Sequence, residues 1–315
     1  MQSLKSRFFN FMIRNRHLFE FKLKRESFDF DSSIEEFREK CEKGAAKYSK
    51  IPDGVKIIKE SAAGINSEWI IPDGADNDKT IFYVHGGGYV SGSCSDHRGF
   101  ISKFADFCKI PTFIYEYRLA PENPFPAAID DSVKAYEWLL SGGKKPENIL
   151  VAGESAGGGL ALALLLALRE RKIAFPKAVV AISPWTDLSC SGESYKTKNK
   201  ISGSLYNSWN VFSKYYAGDT DVKNPLVSPL YGDLHGLPPI FINSGEADEL
   251  FDDGKSFYLK AKAAGVDVYF REGAGMLHCY PLLSPFFPEA TEAMNEIRDF
   301  IRNHMGLSSL KKFGD

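Results

Sequence analysis

The sequence predicts an α/β protein with a mostly parallel central sheet, and two observations carry this prediction. Short apolar runs alternate with longer helical patterns from about residue 80 onwards, which is typical of a parallel sheet covered by helices. The clearest unit is residues 149–152, an apolar run that stops at Gly153 and is followed at once by an Ala- and Leu-rich helical pattern that ends near Arg171. A strand, one sharp turn and a helix are therefore expected around Ser155.

Length and composition indicate a globular protein with a large core. The 315 residues are 43% hydrophobic and 25% charged, which suits one α/β domain with an inserted lid. A net charge of −2 argues against a general nucleic-acid binder, whose domain is usually basic. The five cysteines include no C-x-x-C pair, so neither a zinc site nor a disulfide framework is predicted, and a reducing, cytoplasmic compartment is the simplest setting. No metal or organic cofactor is expected.

The N-terminal 25 residues are basic and aromatic. They contain seven lysines and arginines against the single acid Glu20. No run of 18 apolar residues and no small-residue cleavage site is present, so neither a transmembrane helix nor a secretory signal is predicted. A basic, aromatic helix is compatible with weak contact to an anionic membrane surface, and also with a lid or packing helix whose basic face is solvated.

In chain order, helices are predicted over residues 1–50, with a break near 27–33 where Asp31, Ser32 or Ser33 is the expected N-cap. About eight strands follow, at 55–59, 67–72, 80–84, 112–117, 149–152, 178–183, 239–243 and 267–271. Further helices are predicted at 96–108, 127–140, 252–264 and 289–304. Residues 188–221 are polar and aromatic and break the alternation. The predicted division is a helical segment at 1–50, an α/β core at 51–187 and 222–315, and an insertion at 188–221.

The turn after the fifth predicted strand carries a chemical signature. Gly153-Glu154-Ser155-Ala156-Gly157 fits the pattern G-x-S-x-G, in which a strained turn projects the serine hydroxyl and the flanking glycines leave room for it. The helix that follows points its N-terminus at the serine, where its free N–H groups favour negative charge. Five residues alone also fit a tightly packed turn without chemistry, so the interpretation depends on partners elsewhere in the chain.

A nucleophilic serine needs a general base and an acid that orients the base. In the order serine, acid, histidine, each after a strand, the sequence offers Asp248 and then His278. The other histidines precede the acid or lie in terminal helices. Three carboxylates compete with Asp248 for the role of the acid: Glu246, Asp252 and Asp253.

A loop of consecutive glycines follows the third predicted strand. In His85-Gly86-Gly87-Gly88 the backbone can approach a substrate oxygen closely, as an oxyanion hole requires. A flexible turn and a phosphate-binding loop are the alternatives, although neither G-x-x-x-x-G-K nor G-x-G-x-x-G is present.

Together these motifs resemble the hormone-sensitive-lipase-like (bacterial family IV type) esterases of the α/β-hydrolase fold. The resemblance covers roughly residues 55–305 and is carried by His-Gly-Gly-Gly at 85–88, Tyr-Arg-Leu-Ala-Pro-Glu at 117–122, Gly-Glu-Ser-Ala-Gly at 153–157, Asp248 and His278. It implies a catalytic triad of Ser155, Asp248 and His278. It also implies an oxyanion hole formed by the N–H groups of Gly87, Gly88 and Ala156, within the motif that begins at His85 and Gly86.

The resemblance implies a carboxylic ester hydrolase that acts through an acyl-enzyme, without a cofactor, on small esters with short to medium acyl chains. Family members carry a lid formed by N-terminal helices and by an insertion after the sixth core strand. This implies a helical cap segment at 1–50, a cap insertion at 188–221 and a catalytic core at 51–187 and 222–315. The aromatic residues of the insertion are expected to form an apolar pocket. A lactone or amide hydrolase would use the same triad. A small-molecule receptor is an alternative of a different class, because plant gibberellin receptors resemble this family but have lost the catalytic histidine, which is present here as His278. Some relatives are dimers, which makes a homodimer a further prediction.

Three residues depart from the family pattern. Glu154 stands where Asp usually precedes the serine, Glu249 where many members have Pro after the acid, and Cys279 where Gly follows the histidine. None of the three changes removes a catalytic group. In the 117–122 segment, Arg118 and Glu122 are predicted to be structural ion-pair partners rather than substrate ligands.

Overall fold

The computed structural model describes residues 2–19, 26–46, 50–308 and 310. One sheet of eight strands has the spatial order β1-β2-β4-β3-β5-β6-β7-β8. Its first two pairings, β1 with β2 and β2 with β4, are antiparallel, and the other five are parallel, so the predicted fold class is confirmed. The strands are β1 Val55–Ala62, β2 Ile65–Pro72, β3 Thr80–Val84, β4 Thr112–Tyr115, β5 Ile149–Glu154, β6 Ala178–Ile182, β7 Ile240–Gly245 and β8 Val268–Gly273.

Helices cover both faces of this sheet. They are α1 Leu4–Arg14, α2 Arg16–Phe19, α3 Ile34–Ala46, α4 Cys94–Cys108, α5 Ala127–Ser141, α6 Ala156–Glu170, α7 Ser194–Thr197, α8 Ser208–Ala217, α9 Phe251–Ala263 and α10 Pro288–His304.

The central strands β3, β5 and β6 are buried along their whole length, and a separate hydrophobic cluster packs on each face of the sheet. Strands covered on both faces form continuous apolar runs rather than alternating patterns, which is why the sequence revealed them. Helix α6 is buried from Ala156 to Leu168. A helix that is apolar all round must be enclosed, and α6 packs against the sheet on one side and α5 on the other.

Two boundaries differ informatively from the sequence prediction. The hairpin between β1 and β2 turns on Ala63 and Gly64, which both have positive φ, so the strands pair right up to a two-residue turn and are longer than predicted. Strand β4 ends at Tyr115 instead of residue 117. The chain leaves the sheet there because the hydroxyl of Tyr117 donates to the carbonyl of His85 and the backbone N–H of Arg118 donates to Asp131.

The N-terminal part packs on the segment between β6 and β7. The ring of Phe212 in α8 lies 5.0 Å from that of Phe28 and 5.3 Å from that of Phe37. Helix α3 begins where the sequence suggested, with the Ser33 hydroxyl accepting the backbone N–H of Glu36. Part of the predicted basic segment, residues 20–25, lies outside the described residues. In the part of the chain that the structure describes, no helix is both long enough and apolar enough to span a bilayer.

Candidate active site

Ser155 occupies the sharp turn between β5 and α6. Its φ of 56° and ψ of −125° lie in a sparsely populated region, so the surrounding structure must hold the residue there. Three backbone hydrogen bonds do so. The Ser155 N–H donates to the carbonyl of Ile182 at 2.9 Å, and the Ser155 carbonyl accepts from the N–H groups of Gly159 and Trp185. Ser155 is 7% exposed.

The glycines around this turn are there for steric reasons. A methyl group at Gly157 would overlap the carbonyl oxygens of Val84 and His85, and one at Gly153 would lie about as close to the carbonyl of Gly157. Backbone atoms cannot move aside as a flexible side chain can. Glycine at both positions is therefore what allows β5, α6 and the loop after β3 to meet at the serine.

Asp248 and His278 meet at the same edge of the sheet, because each follows a neighbouring parallel strand, β7 or β8. The Nδ1 atom of His278 lies 2.7 Å from Oδ2 of Asp248. Asp248 is fully buried, whereas the His278 side chain is about one quarter exposed. Burial alone would lower the pKa of His278, but the charge and hydrogen bond of Asp248 outweigh it and raise that pKa, so Asp248 favours the imidazolium that forms when His278 takes a proton.

The three carboxylates that competed with Asp248 have other partners. Glu246 accepts the backbone N–H of Gly275 at 2.7 Å, which ties β7 to the loop that carries His278. Asp252 accepts the N–H of Ser194 at 2.8 Å. Asp253 is buried and accepts the N–H groups of the two residues after Trp185, Thr186 and Asp187.

Two sets of contacts bring Ser155 and the histidine loop together at the end of β6. The carbonyl of Ile182, which binds the Ser155 N–H, lies 3.9 Å from the thiol of Cys279. The backbone N–H of Cys279 also donates to the Ser183 hydroxyl at 3.0 Å. Cys279 is next in the chain to His278, so the predicted nucleophile and base converge on one strand end.

The glycine loop after β3 lies against the serine turn. The N–H of Gly86 donates to Oε1 of Glu154 at 2.6 Å, and a methyl group at Gly86 would lie 3.2 Å from Cβ of Ser155. Gly87 and Gly88 both have positive φ, which glycine adopts without strain. Ala156 begins α6 and is fully buried. The glycine loop thus contacts the serine turn through Gly86, and the role of Gly87, Gly88 and Ala156 as oxyanion donors stays a prediction.

His85 supports this loop and is not placed as a base. It is fully buried, its Nδ1 lies 2.8 Å from the carbonyl of Gly86, and its ring stacks on Tyr117 with centroids 4.1 Å apart. Burial, together with the nearby charge of His97, lowers the pKa of His85 to about 3. A neutral imidazole is therefore expected at this position.

His97 is a residue whose importance the sequence did not reveal. Its Nδ1 lies 2.7 Å from Oδ1 of Asp96 and its Nε2 lies 3.1 Å from Oε1 of Glu154. Both ring nitrogens face carboxylate oxygens, so both must carry a proton. Burial opposes the charge, but these two hydrogen bonds raise the pKa of His97 to about 10. The result is a cation behind the glycine loop whose side chain is 14% exposed, and the only sequence signal was a histidine at a helix start.

Glu249 and Trp209 form a second unpredicted contact, on the other side of the site. The Glu249 carboxylate accepts the Ser202 hydroxyl at 2.7 Å and the Trp209 indole N–H at 3.3 Å. The Trp209 ring lies edge-on to the His278 ring, with centroids 5.7 Å apart. Phe212, from the same helix as Trp209, fills the space where a side chain at Gly88 would lie. Two aromatic residues of the 188–221 segment therefore border the predicted site.

Arg118 and Glu122 are both structural, as predicted, but they do not pair with each other. Arg118 binds Asp131, at 2.8 Å from Nε to Oδ2. Glu122 binds the guanidinium of Arg38 through both oxygens, each at 2.7 Å, and so links α3 to the segment after β4.

A cavity of about 700 Å³ lies beside the glycine loop. Asp96, His97 and Gly87 are among its lining residues, whereas Ser155, Asp248 and His278 are not. Its walls are largely apolar and come from α3, α4 and the segment after His278, including Cys41, Phe100, Phe104, Phe107, Leu282 and Phe286. Within residues 2–19, 26–46, 50–308 and 310, no group of three or more His, Cys, Asp or Glu is arranged to hold a metal ion. Each of the five cysteines is a free thiol.

The fold and the site define a class, the α/β-hydrolases. Residues 81–282, which are more than half of the chain, match the model of a family with the alpha/beta hydrolase fold, and the chain belongs to that family. An acetyl-hydrolase of Streptomyces hygroscopicus is 40% identical over 76% of this chain and 80% of its own length. An esterase of Acinetobacter venetianus is 36% identical over 78% of this chain and 82% of its own length.

Solved structures identify a narrower group of similar proteins within this fold. An esterase from the bacterial hormone-sensitive lipase family matches with a TM-score of 0.87 and 35% identity, over 97% of this chain and 100% of that one. A hormone-sensitive lipase from a metagenome library matches with a TM-score of 0.88 and 31% identity, over the same shares. The resemblance to the hormone-sensitive-lipase-like esterases is thereby confirmed.

Proposed function

We propose that this protein is a carboxylic ester hydrolase in which Ser155 is the nucleophile, His278 the general base and Asp248 the residue that orients the base. The 2.7 Å contact between His278 Nδ1 and Asp248 Oδ2 carries this proposal. With a proton held on Nδ1 by the carboxylate, Nε2 is left to accept the serine proton. The names of the relatives, acetyl-hydrolase and esterase, support the same reaction class.

The reaction has two halves. In the first, the Ser155 oxygen attacks the ester carbonyl carbon while its proton passes to Nε2 of His278. The N–H groups of Gly87, Gly88 and Ala156 bind the oxyanion, and the C–O bond to the alcohol breaks as His278 returns the proton to the leaving oxygen. In the second half, His278 takes a proton from water, the hydroxide adds to the acyl carbon, and the acid leaves as Ser155 is reprotonated.

We further propose that the substrates are small esters with short to medium acyl chains. Support comes from the name of the acetyl-hydrolase relative and from Trp209 and Phe212, whose aromatic rings border the predicted site. The cap that closes over such an ester would consist of residues 1–50 and 188–221. Their contacts through Phe28, Phe37 and Phe212 support this division.

We also propose a cellular location, an oligomeric state and a membrane contact for this protein. A cytoplasmic location is favoured by the five free thiols, each of which has a pKa raised mainly by burial. A homodimer rests on the resemblance alone. A weak contact between the basic N-terminal segment and a membrane surface rests on its sequence charge.

The test is hydrolysis of a p-nitrophenyl ester series, from acetate to palmitate, by the wild type, Ser155→Ala and His278→Ala. We expect a short-chain optimum and a fall in kcat of roughly 10⁴-fold or more in each variant. Unchanged turnover in Ser155→Ala would contradict the mechanism. A folded but inactive wild type would direct attention to lactones, amides or simple ligand binding.

A further inference from the structure

Helix α1 packs on the protein with polar residues. Ser6 is fully buried and Asn10 is 3% exposed. The Asn10 side-chain amide donates to the carbonyl of Gly275 at 3.0 Å, and the Ser6 hydroxyl donates to Glu289 at 3.0 Å. Gln2, which precedes the helix, donates to the carbonyl of Ala274. Hydrogen bonds to the loop before His278 therefore help to fix the inner face of α1.

The outer face of the same helix is apolar. Leu4, Phe8 and Phe11 recur at the i, i+4, i+7 spacing that places residues on one side of a helix, and they are 80%, 66% and 57% exposed. A surface helix of a soluble domain normally turns such a stripe towards the core. Here the inner face holds Phe9, whose ring lies 5.6 Å from that of Phe287, beside the hydrogen-bonded Ser6 and Asn10, and this further apolar stripe faces outwards.

Basic residues flank this apolar stripe. Lys5 and Arg7 are both exposed and lie on either side of Leu4 and Phe8 around the helix. The charge is local, because the first 25 residues hold seven basic side chains and one acid whereas the whole chain has a net charge of −2. An apolar stripe with a basic border is the pattern of helices that lie in the headgroup region of an anionic bilayer.

We propose that the outward face of α1, formed by Leu4, Phe8, Phe11, Lys5 and Arg7, docks on an anionic lipid surface. The proposal rests on the weak membrane contact put forward above and names the surface that makes it. The rings of Phe8 and Phe11 enter the boundary between headgroups and acyl chains, and the two cations lie at the level of the lipid phosphates.

The docked helix would also bring the candidate active site to the lipid. Asn10 holds Gly275, which is three residues before His278, and the guanidinium of Arg14 donates to the carbonyl of Ile201 in the proposed cap insertion. The helix thus contacts both the histidine loop and the cap. An apolar ester dissolved in the membrane would be presented close to both, which is a consequence that depends on the proposed esterase function.

The experiment is co-sedimentation of the full chain with phosphatidylcholine vesicles, with or without phosphatidylglycerol, at low and at high salt. We expect binding only to the anionic vesicles and its loss at high salt. Phe8→Ser/Phe11→Ser should reduce the partition coefficient roughly tenfold or more, because the apolar area that enters the bilayer is removed. Lys5→Gln/Arg7→Gln should reduce it at low salt by roughly fivefold for each charge.

A matched control is Leu259→Ser/Tyr269→Ser, which removes two apolar side chains of similar exposure, 56% and 49%, from α9 and β8. It should bind like the wild type. Hydrolysis of water-soluble p-nitrophenyl acetate should be unchanged in all three double variants, and that assay reports separately on the esterase proposal.

Each outcome has one meaning. A wild type that binds no anionic vesicles would overturn the membrane contact itself. Equal binding by Phe8→Ser/Phe11→Ser and the wild type would overturn the assignment of this face. If the wild type sediments as a dimer and Phe8→Ser/Phe11→Ser as a monomer, with no difference on vesicles, the occupant of the face is a second copy of the chain and the lipid proposal is wrong.

Discussion

Two buried glutamates border the predicted triad, and the fold treats them differently. Glu154 precedes Ser155 and Glu249 follows Asp248, and their exposures are 5% and 6%. On the side of the serine turn, here called the elbow side, Glu154 binds the Gly86 N–H and the charged ring of His97. On the side of the proposed cap insertion at 188–221, here called the cap side, the Glu249 carboxylate accepts from two neutral donors, the Ser202 hydroxyl and the Trp209 indole N–H.

The difference lies in the partners, because the two carboxyl groups are buried to nearly the same extent. Beside His97 the cost of burying an anion is offset by a cation. Beside Ser202 and Trp209 burial dominates, and it raises the pKa of Glu249 although the hydrogen bonds oppose the rise. The elbow side thus links a cation to the glycine loop through Glu154. The cap side links two segments that are far apart in sequence through hydrogen bonds from uncharged donors.

The largest effect on kcat is expected at Asp248, the residue next to Glu249. Asp248→Asn should lower kcat by roughly 10⁴-fold, because an amide at this position favours the wrong imidazole tautomer. The measurement is turnover of p-nitrophenyl acetate. Asp252→Asn is the matched control, since Asp252 binds the Ser194 N–H and should leave most of the activity in place. Equal losses in both variants would contradict the assignment of Asp248.

The next effect tests the elbow side. Glu154→Ala removes the acceptor for the Gly86 N–H and leaves the His97 cation without that partner. We expect kcat to fall by roughly 10²-fold to 10³-fold, as when an oxyanion-hole donor is displaced. Unfolding should become easier by about 3–5 kcal/mol, the usual cost of breaking a buried ion pair. Glu154→Gln keeps an oxygen that can accept from the Gly86 N–H. Its kcat and its stability should therefore lie between those of the wild type and of Glu154→Ala. If Glu154→Ala kept the wild-type kcat, the prediction that this carboxylate supports the glycine loop would be wrong.

A smaller effect concerns the pH dependence of stability on the elbow side. The pKa of His97 is raised from 6.5 to about 10 in the fold, so its contribution to stability is fully present below pH 6.5 and is lost as the pH rises through about 10. His97→Gln should therefore be less stable than the wild type near pH 6, with the gap closing towards pH 10. Denaturant unfolding across this range measures the gap. A gap that does not change with pH would mean that His97 is not charged in the fold.

The smallest effect belongs to Glu249 and occupies a different pH window. Because its pKa is raised above the ordinary value of 4.5, the contribution of Glu249 to stability is present below pH 4.5 and is lost as the pH rises through the folded-state pKa. Glu249→Gln keeps an acceptor for Ser202 and removes the charge. We expect the Tm of this variant, relative to wild type, to increase with pH above 4.5, with little change in kcat. A Tm difference that falls with rising pH would contradict the assigned direction.

Much of the fold was predictable because its signals are local. Buried strands such as β3 and β5 are continuous apolar runs, and the steric demand of the serine turn requires glycine at 153 and 157 whatever the rest of the chain does. The order of Ser155, Asp248 and His278 was also available, because parallel strands end at one edge of the sheet. The strand ends were less predictable, as at Tyr117, where contacts with His85 draw the chain out of the sheet.

The sequence by itself determined the fold class, the serine turn, the glycine loop and the family resemblance. Only the tertiary structure decided which carboxylate meets His278, which partners Arg118 and Glu122 take, and that His97 is a cation held between two carboxylates. It also decided that α1 turns its apolar stripe outwards. The physical reason is the same in each case. Steric and periodic signals act over a few residues, whereas the pairing and charge of polar side chains depend on neighbours tens to hundreds of residues away.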